Sequence, residues 1–486
     1  MIFNLSCEYN LFHEKRNPFV NSFFQHLISS YLIFLVGITT TQAQSQYILK
    51  NGRDTISAID SITCHGIMTK ELANLYKNGY ARAHWSLDTI VEIPDHLIAH
   101  YTLRRGNIIL MDSALFGSNP IVKPVVLNAM LGWKKNRIFL YDELESHLKS
   151  INQSGAIRLS RPAYYFSDST VNTRIEVKPI IKNELDGMMG LVNDNQGKAI
   201  LLGQLKVKWV NALKHADEFN IHWQRQAKST QRLQFSFQIP YCFGTQFGYS
   251  IQTDLYKKDS TFFQSNINLG VQYLFQPQQK ITFQFQREKS SRLNNIDNQN
   301  IIHSLFGLAY HQGWTGNHYS LITNGSFGQG NRTLYSLDST SQSKVWKSQI
   351  EVEIGLFYKS TFIQATIENC MLSKEANQSI EWFRIGGNAT LRGFQQESIF
   401  VRNGQILQFN VGYGNQHSSR LYLFYDWGFL NTTLKNSHER YSSFGPGAYL
   451  PTSGGNILMH YGWGMYPNTP VQLKSGVFNL SYQVYF

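Results

Sequence analysis

Apolar and polar residues alternate along much of the chain, and the alternation is strictest at its end. There Phe478, Leu480, Tyr482, Val484 and Phe486 alternate with Asn479, Ser481, Gln483 and Tyr485. A two-residue period places the two sets on opposite faces of a β-strand. The same period recurs at 233–239, 281–285, 350–356, 407–413 and 457–463. One face is rich in aromatic residues and the other in Gln, Asn and Ser, which suits strands between lipid and a watery lumen.

Beyond residue 187 no helical period survives, and sixteen strands can be counted. They start near 187, 199, 216, 230, 245, 260, 280, 302, 317, 346 and 361, and then near 403, 420, 440, 455 and 476. Spans of ~9–11 residues joined by alternating short turns and long loops fit this spacing. Glu351 and Glu353 are expected in the lumen, because a carboxylate that faces lipid is costly. Residues 183–486 are therefore predicted to form a transmembrane antiparallel β-barrel of about 16 strands.

Residues 44–182 follow a different pattern. Helical spacing at 69–80 precedes strand-like segments at 81–90 and 97–103. A strand at 108–116, helices at 122–132 and 141–151, and strands at 156–161 and 171–179 follow. The order strand, helix, helix, strand, strand is thus predicted twice, which gives small α/β domains at 44–105 and 106–182. A plain α/β spacer is the alternative interpretation.

Residues 1–43 have the pattern of a secretory signal peptide. Lys15 and Arg16 supply positive charge, 31–38 form a short apolar core, and 41–43 offer a cleavage site. The apolar core is too short to span a bilayer as a helix. The mature chain is expected to start near Gln44 and to lie outside the cytoplasm.

Composition supports a barrel over a helical membrane protein. Only 16% of the 486 residues are charged, 14% are aromatic, and the mean hydropathy is −0.28. The formal charge of +12 could indicate a nucleic-acid partner. Because Lys and Arg are scattered, solvated loops, a polar lumen and attraction to anionic lipid headgroups are the favoured explanation, and no nucleic acid is expected.

The cysteines and catalytic motifs predict neither a metal site, nor a cofactor, nor an enzyme. No C-x-x-C or Cys/His spacing occurs, and a disulfide among Cys64, Cys242 and Cys370 remains open. No G-x-S-x-G, H-E-x-x-H or phosphate-binding glycine loop is present.

The stretch 381–402 interrupts the strand pattern and is too polar and glycine-rich to continue it. Gly386 and Gly387 precede the tripeptide Arg392, Gly393 and Phe394. Glycines let the backbone turn and approach closely, and an arginine held there needs a carboxylate partner. In 421–430 the apolar phase faces outward, so Asp426 points into the lumen, two residues before Gly428. A buried salt bridge between Arg392 and Asp426 is expected, in which removing one partner strands the other.

These two motifs resemble a known pair. The Arg-Gly-Phe tip at 392–394 and the F-x-D-x-G pattern at 424–428 resemble the in-folded sixth loop and its partner in the BamA/TamA-type outer-membrane assembly-factor superfamily, and 77–81 resemble the entry to the second strand of a POTRA domain. The resemblance implies sixteen strands with the loop between the eleventh and twelfth. It also implies POTRA-like domains that bind clients by adding a strand to an exposed sheet edge.

The resemblance further implies a labile seam between the first and last strands. The candidate seam places Gly187, Gly190, Leu191 and Val192 against Tyr482, Val484 and Phe486. Glycines weaken strand pairing, as a labile seam requires, although they could equally ease the curvature of the barrel.

The function implied is assembly or insertion of outer-membrane proteins, with the amino-terminal domains in the periplasm. The implied partners are outer-membrane lipids, unfolded outer-membrane or secreted client proteins, and accessory periplasmic or lipoprotein factors. The alternative is a two-partner secretion transporter that exports one cognate protein. Such transporters usually also have an amino-terminal plug helix, for which the few residues after Ala43 leave no room. A passive channel would leave the loop and the amino-terminal domains unexplained.

Overall fold

The computed structural model describes residues 44–485 apart from short segments. These are 52–53, 59–60, 94–95, 118–120, 155–156, 180–182, 194–198, 226–229, 259–261, 293–299, 317, 337–338, 388–389, 415–417, 435–436, 453–454, 468 and 470–475. The predicted signal peptide and Phe486 lie outside the described residues. The described residues fall into two compact units, one within 44–120, 131–149 and 159–178 and the other within 121–130, 150–158 and 179–485. Each helix in the described part of the chain is too short or too polar to span a bilayer.

The amino-terminal sheet has four strands, β1 (Gln44–Asn51), β2 (Asp54–Ala58), β3 (His84–Ile93) and β4 (His96–Arg104), in the order β2-β1-β4-β3. Helix α1 (Ser61–Lys77) packs Met68, Leu72 and Leu75 against the core of this sheet. The prediction of two helices in 44–105 is wrong for the described part of this segment, because strand β2 precedes a single helix. That helix also begins earlier than predicted, since Cys64 and Met68 belong to the face that the sheet buries.

The following elements are β5 (Leu110–Phe116), α2 (Pro124–Leu131), α3 (Tyr141–Ser154), β6 (Ile157–Leu159), β7 (Ala163–Phe166), β8 (Thr170–Ile175) and β9 (Val177–Pro179). Strand β8 lies between β5, to which it is parallel, and β7, to which it is antiparallel. Helix α3 begins with Asp142 and Glu143, where the helix dipole favours negative charge. The predicted helices at 122–132 and 141–151 are present, whereas β7 was not predicted and the predicted strand at 171–179 is divided into β8 and β9.

Sixteen strands form a closed antiparallel barrel. The first eleven are β10 (Glu184–Asn193), β11 (Ala199–Val210), β12 (Glu218–Arg225), β13 (Gln231–Ile239), β14 (Phe247–Lys258), β15 (Phe262–Gln276), β16 (Gln279–Arg292), β17 (Asn300–Thr315), β18 (Tyr319–Tyr335), β19 (Thr340–Tyr358) and β20 (Thr361–Leu372). A short hairpin, β21 (Phe383–Ile385) and β22 (Ile399–Val401), precedes the last five, β23 (Asn403–Tyr413), β24 (Arg420–Asn431), β25 (Glu439–Thr452), β26 (Gly455–Met465) and β27 (Val477–Tyr485). The predicted fold class and strand number are confirmed.

The two faces of the barrel wall follow the predicted alternation. Ile350, Ile354 and Leu356 of β19 are exposed on the outer surface. Glu351 and Glu353 face the lumen, where they accept hydrogen bonds from Asn324 Nδ2 (3.1 Å) and Gln364 Nε2 (2.7 Å) respectively. Lipid on one side and polar partners on the other explain why the period of two is kept.

The three cysteines that the structure describes are free thiols. Cys64 is buried in the amino-terminal core, Cys370 is buried in the barrel, and Cys242 lies in the turn between β13 and β14. No disulfide therefore joins them.

Candidate functional site: a loop anchored across the lumen

The connection between β20 and β23, residues 373–402, folds back against the inner wall of the barrel. It contains a 3-10 turn at Ser379–Glu381 and the hairpin of β21 and β22. Its apolar residues Ile385, Leu391 and Val401 are buried in one cluster with Ile406 and Leu430 of the wall. A hydrophobic contact of this kind holds the loop inside the barrel without any charge.

Glycine makes the turns of this loop possible. Gly386, Gly387 and Gly393 have φ angles of 116°, 90° and 79°, a region in which residues with a side chain are strained. The predicted Gly386–Gly387 pair ends strand β21 and starts the turn towards the tip. Residues 388–389 lie outside the described part of the loop.

Arg392 and Asp426 form the contact that we call the tip anchor. The Arg392 backbone N and Nε each donate to Asp426 Oδ2 at 2.9 Å, and Nη2 donates to Oδ1. Arg392 Nη1 also donates to Asn410 Oδ1 at 2.7 Å, and its guanidinium lies 4.0 Å from the centre of the Phe424 ring. Arg392 is 5% exposed and Asp426 is fully buried. The structure thus brings together the arginine and the acid that the sequence paired, in a fork geometry that fixes both.

Phe394, the third residue of the tip, fills an aromatic pocket. It is 1% exposed and contacts Tyr441 and Tyr466 edge-to-face, with ring centres 6.0 and 5.0 Å away. Such pairs add to the stability that burial alone provides. Phe394 therefore fixes the tip beside the tip anchor.

The wall opposite the tip consists of glycines. A Cβ at Gly464 would lie 2.6 Å from the carbonyl oxygen of Gly393, and one at Gly462 would lie 2.8 Å from the Gly393 nitrogen. A Cβ at Gly428 would lie 2.9 Å from Leu391 Cδ1. Only residues without side chains let the two backbones approach this closely. Gly428 was predicted, whereas Gly462 and Gly464 were missed, although their spacing of two on β26 already placed them on one face.

A second contact, the base anchor, was not predicted. The Glu381 carboxylate accepts hydrogen bonds from Arg332 Nε at 2.6 Å and Nη2 at 2.9 Å. His303 Nε2 lies 2.7 Å from Glu381 Oε2, and the Gln378 backbone N donates to Oε1 at 3.0 Å. Side-chain exposure is 1% for Glu381, 5% for Arg332 and 3% for His303. The polarity is the reverse of the tip anchor, because here the loop supplies the acid and strands β17 and β18 supply the bases.

A third contact, the side anchor, joins Glu397 of the loop to Arg232 of β13. Arg232 Nη1 donates to Glu397 Oε1, and Arg232 Nε donates to Asp254 Oδ1 of β14 at 2.8 Å. Arg384 Nε lies 3.5 Å from Glu397 Oε2. Arg232 and Glu397 side chains remain 21% and 15% exposed, so this anchor is more hydrated than the other two. It is accordingly expected to be the weakest of the three.

The three anchors contact different sectors of the ring. Counting from β10, the side anchor lies on the fourth and fifth strands, the base anchor on the eighth and ninth, and the tip anchor on the thirteenth. The loop therefore crosses the lumen. Beside it, inward side chains of β13–β19 line a polar cavity of about 480 Å³ that is rich in amides, among them Gln238, Gln252, Asn268 and Gln284.

The seam between the first and last strands is short among the described residues. Among the described residues, β10 pairs with β27 only at Glu184–Tyr485 and Leu185–Val484, whereas it pairs with β11 over the whole of its length. Continued in the same register, the next residues would set Gly187 opposite Tyr482, as predicted, but the described pairing ends after two residue pairs.

Of the predicted seam residues, only Val484 takes part in the described pairing of β10 with β27. Gly190, Leu191 and Val192 pair with β11, Tyr482 pairs with Ile457 of β26, and only Val484 meets the first strand. Phe486 and the side chains of 188–202 and 480–485 lie outside the described part of the chain.

The site offers ion pairs and apolar contacts. Within the described ranges, no group of three or more His, Cys, Asp or Glu side chains could hold a metal ion. What the arrangement can do is hold a loop across a polar lumen, or release it.

Comparisons with known proteins agree with this architecture. A protein-family model described as "Haemolysin secretion/activation protein ShlB/FhaC/HecB" matches residues 189–450, more than half of the chain. The chain is similar in fold to CdiB from Acinetobacter baumannii (TM-score 0.59, 16% identity, 88% of this chain and 82% of that chain). It is also similar to CdiB from Escherichia coli (TM-score 0.59, 11% identity, 92% and 91%). No curated protein matches the sequence.

Proposed function

Because the chain belongs to the haemolysin secretion/activation protein family ShlB/FhaC/HecB, we propose that it is an outer-membrane transporter that exports a cognate protein. The single observation that carries this proposal is the family match over 189–450, which includes most of the barrel and the whole in-folded loop. The proposal includes no enzymatic step.

The family match corrects the preference that the sequence alone suggested. The Arg-Gly-Phe tip and its aspartate indicated the wider superfamily, in which assembly and secretion proteins have the same kind of barrel. The choice of assembly depended on the absence of room for a plug helix ahead of the first strand. Membership of a secretion family is stronger support for the alternative interpretation, secretion, than the missing room for a plug helix was for assembly.

The geometry of the lumen supports a transport role. The loop crosses the lumen and is held by buried charge pairs, so a polypeptide can pass only when the loop moves. Amide side chains beside the loop can donate to and accept from an extended backbone without binding one sequence tightly. We infer that the anchored loop closes the pathway in the resting state.

The amino-terminal sheet offers a place for a client to bind. Strand β3 is an edge strand, and its Leu87, Ile90 and Val91 are 38%, 49% and 42% exposed. Exposed edges of this kind accept an added strand from a partner. We propose that β3 receives an extended segment of the exported protein and that the amino-terminal region faces the periplasm. Outer-membrane lipids are the second proposed partner, and accessory periplasmic or lipoprotein factors remain a prediction.

Deleting the gene in its host separates secretion from assembly. Loss of one protein from the culture medium, with the outer-membrane proteome unchanged, is expected and supports export. Loss of many outer-membrane barrels instead would support assembly and overturn the proposal. A passive channel would be indicated if the purified protein conducts solutes steadily and the deletion changes neither the proteins in the culture medium nor the outer-membrane proteome.

Variants of the tip anchor connect the site to that function. Arg392→Asp should abolish export, and the double variant Arg392→Asp with Asp426→Arg should restore part of it, because the opposite charges meet again. Arg440→Gln, at an exposed arginine of β25, is the matched control and should export normally. Equal export by the single and double charge variants would show that the ion pair is not what matters.

A further inference from the structure

On strands β14–β19 cations occupy both faces of the wall, whereas carboxylates occupy only the inner one. Every carboxylate of these six strands faces the lumen, namely Asp254, Glu288, Glu351 and Glu353. Four cations alternate onto the outer face instead, Lys257, Arg287, Lys289 and Lys344. All four lie toward the end of the barrel from which the in-folded loop starts, here called the loop end. Among the described residues of these strands, the outer face therefore carries cations and no carboxylate.

The register places the two ends of this basic group in one row. Arg287 pairs with Ser304, Ser304 with Asn331, and Asn331 with Lys344. Three spacings of about 4.8 Å between neighbouring strands separate Arg287 from Lys344, roughly 14 Å. Lys289 is the next outward residue after Arg287 on the same strand. Arg287, Lys289 and Lys344 are exposed, and none of them forms an ion pair within the described chain.

An apolar groove begins directly beside this row. Phe285 and Phe306 pair with each other across β16 and β17. Phe285 is the outward residue before Arg287 on β16, and Phe306 is the outward residue after Ser304 on β17. They line an outer groove of about 820 Å³ together with Phe283, Leu308 and Phe327. Its walls are almost wholly apolar, and Phe283 and Phe306 are 66% and 67% exposed. The groove suits an acyl chain, and the cations and hydroxyl groups above it suit a headgroup.

We propose that this sector binds a phosphate-bearing glycolipid of the outer leaflet, with an acyl chain in the groove and its phosphates on Arg287, Lys289 and Lys344. Ser304 and Asn331, between the cations, supply hydrogen-bond partners for sugar hydroxyls. Two phosphates at opposite ends of one headgroup would match the separation of Arg287 and Lys344.

Charge complementarity decides between this lipid and a merely hydrated surface. A hydrated face normally carries both signs interspersed, which lowers repulsion between like charges. Among the described residues of this sector, no carboxylate shares the outer face with the exposed cations, so an anion from outside would reduce their mutual repulsion and stabilise the sector. The proposal rests on the outer-membrane location proposed above, because only that location presents such lipids to the loop end.

Binding can be measured on the purified full chain by native mass spectrometry. The probes are a bisphosphorylated lipid A-type glycolipid, the same glycolipid without phosphates, phosphatidylcholine and inorganic phosphate. The chain should retain the bisphosphorylated glycolipid in preference to the other three. The triple variant R287Q/K289Q/K344Q should bind it at least tenfold more weakly, since each cation near an anionic surface contributes about fivefold.

Arg440→Gln is the matched control, because Arg440 is an exposed cation at the loop end of β25, outside the groove. Binding by the triple variant as tight as that of the wild type would overturn the proposal, and so would equal binding of the glycolipid without phosphates. Retention of inorganic phosphate alone would point to a simple anion site and would also overturn it. Circular dichroism verifies that the triple variant keeps its barrel.

The outcome is separable from that of the transport proposal. Lipid binding is measured without a client, and export is measured by deletion without a lipid assay. The triple variant should still export the client, because none of its three residues contacts the loop.

Discussion

Replacing Glu381 by glutamine tests the base anchor most directly, because the amide keeps the size of the side chain and removes its charge. The carboxylate accepts two hydrogen bonds from Arg332 and one from a backbone N–H, and it contacts His303. All three side chains are at most 5% exposed, so water cannot replace the lost charge. Arg332 would then be a buried cation without its acid.

Removing one partner of such a buried pair costs about 3–5 kcal/mol. Since each 1.4 kcal/mol is a factor of about ten, the equilibrium between the inserted and released loop should shift by roughly two to three and a half orders of magnitude. A loop that is inserted almost all of the time would then be released for a measurable fraction of it.

Single-channel recording in planar bilayers reads this shift as open probability. Glu381→Gln should open far more often than the wild type. Glu375→Gln is the matched control, because Glu375 lies in the same loop and forms no ion pair in the described chain, and it should leave the open probability unchanged.

A second variant shows whether the effect of Glu381→Gln comes from the lost charge or from lost packing. Adding Arg332→Met to Glu381→Gln removes the stranded cation, so the double variant should open less often than Glu381→Gln alone. If Glu381→Gln stays closed like the wild type, the base anchor does not hold the loop and the reasoning is refuted.

Three further results are expected. Asp426→Ala should reduce export more than the double variant Asp426→Ala with Arg392→Ala, because the single change leaves Arg392 buried without its acid. Equal loss of export by the two variants would contradict a paired role of these residues. Gly464→Ala should raise the open probability, because the added Cβ would lie 2.6 Å from a loop carbonyl oxygen, whereas Gly325→Ala, with nothing within 4 Å, should not. Glu397→Gln should raise the open probability less than Glu381→Gln does, because the side anchor is partly hydrated and such pairs contribute about 0.2–1 kcal/mol. The opposite order in bilayer recordings would show that burial does not determine the strength of the anchors.

The sequence predicted the barrel well because the cause of its pattern is local. Each strand has lipid on one side and lumen on the other, so a period of two is imposed residue by residue. Strand starts were therefore close throughout, and the largest deviation, at β19, is the start at Thr340 rather than 346. The same alternation of inward and outward residues placed Asp426 in the lumen, facing the tip of the loop.

Short elements outside the barrel were harder to predict. Strand β7 has four residues, too few for a period to be visible. The start of α1 depended on which face the neighbouring sheet buries, because Gly66 within the helix weakens the local signal. In both cases packing decided what the local sequence left open.

By itself, the sequence determined the number of strands, which side of each strand faces lipid, and the residues of the tip anchor. Only the tertiary structure decided which inward residues meet. Glu381 lies 78 positions from His303, and Glu397 lies 165 from its partner Arg232, so no local pattern connects them. The physical reason is that alternation fixes the face of a residue, whereas strand tilt and stagger fix its height and its neighbours across the lumen.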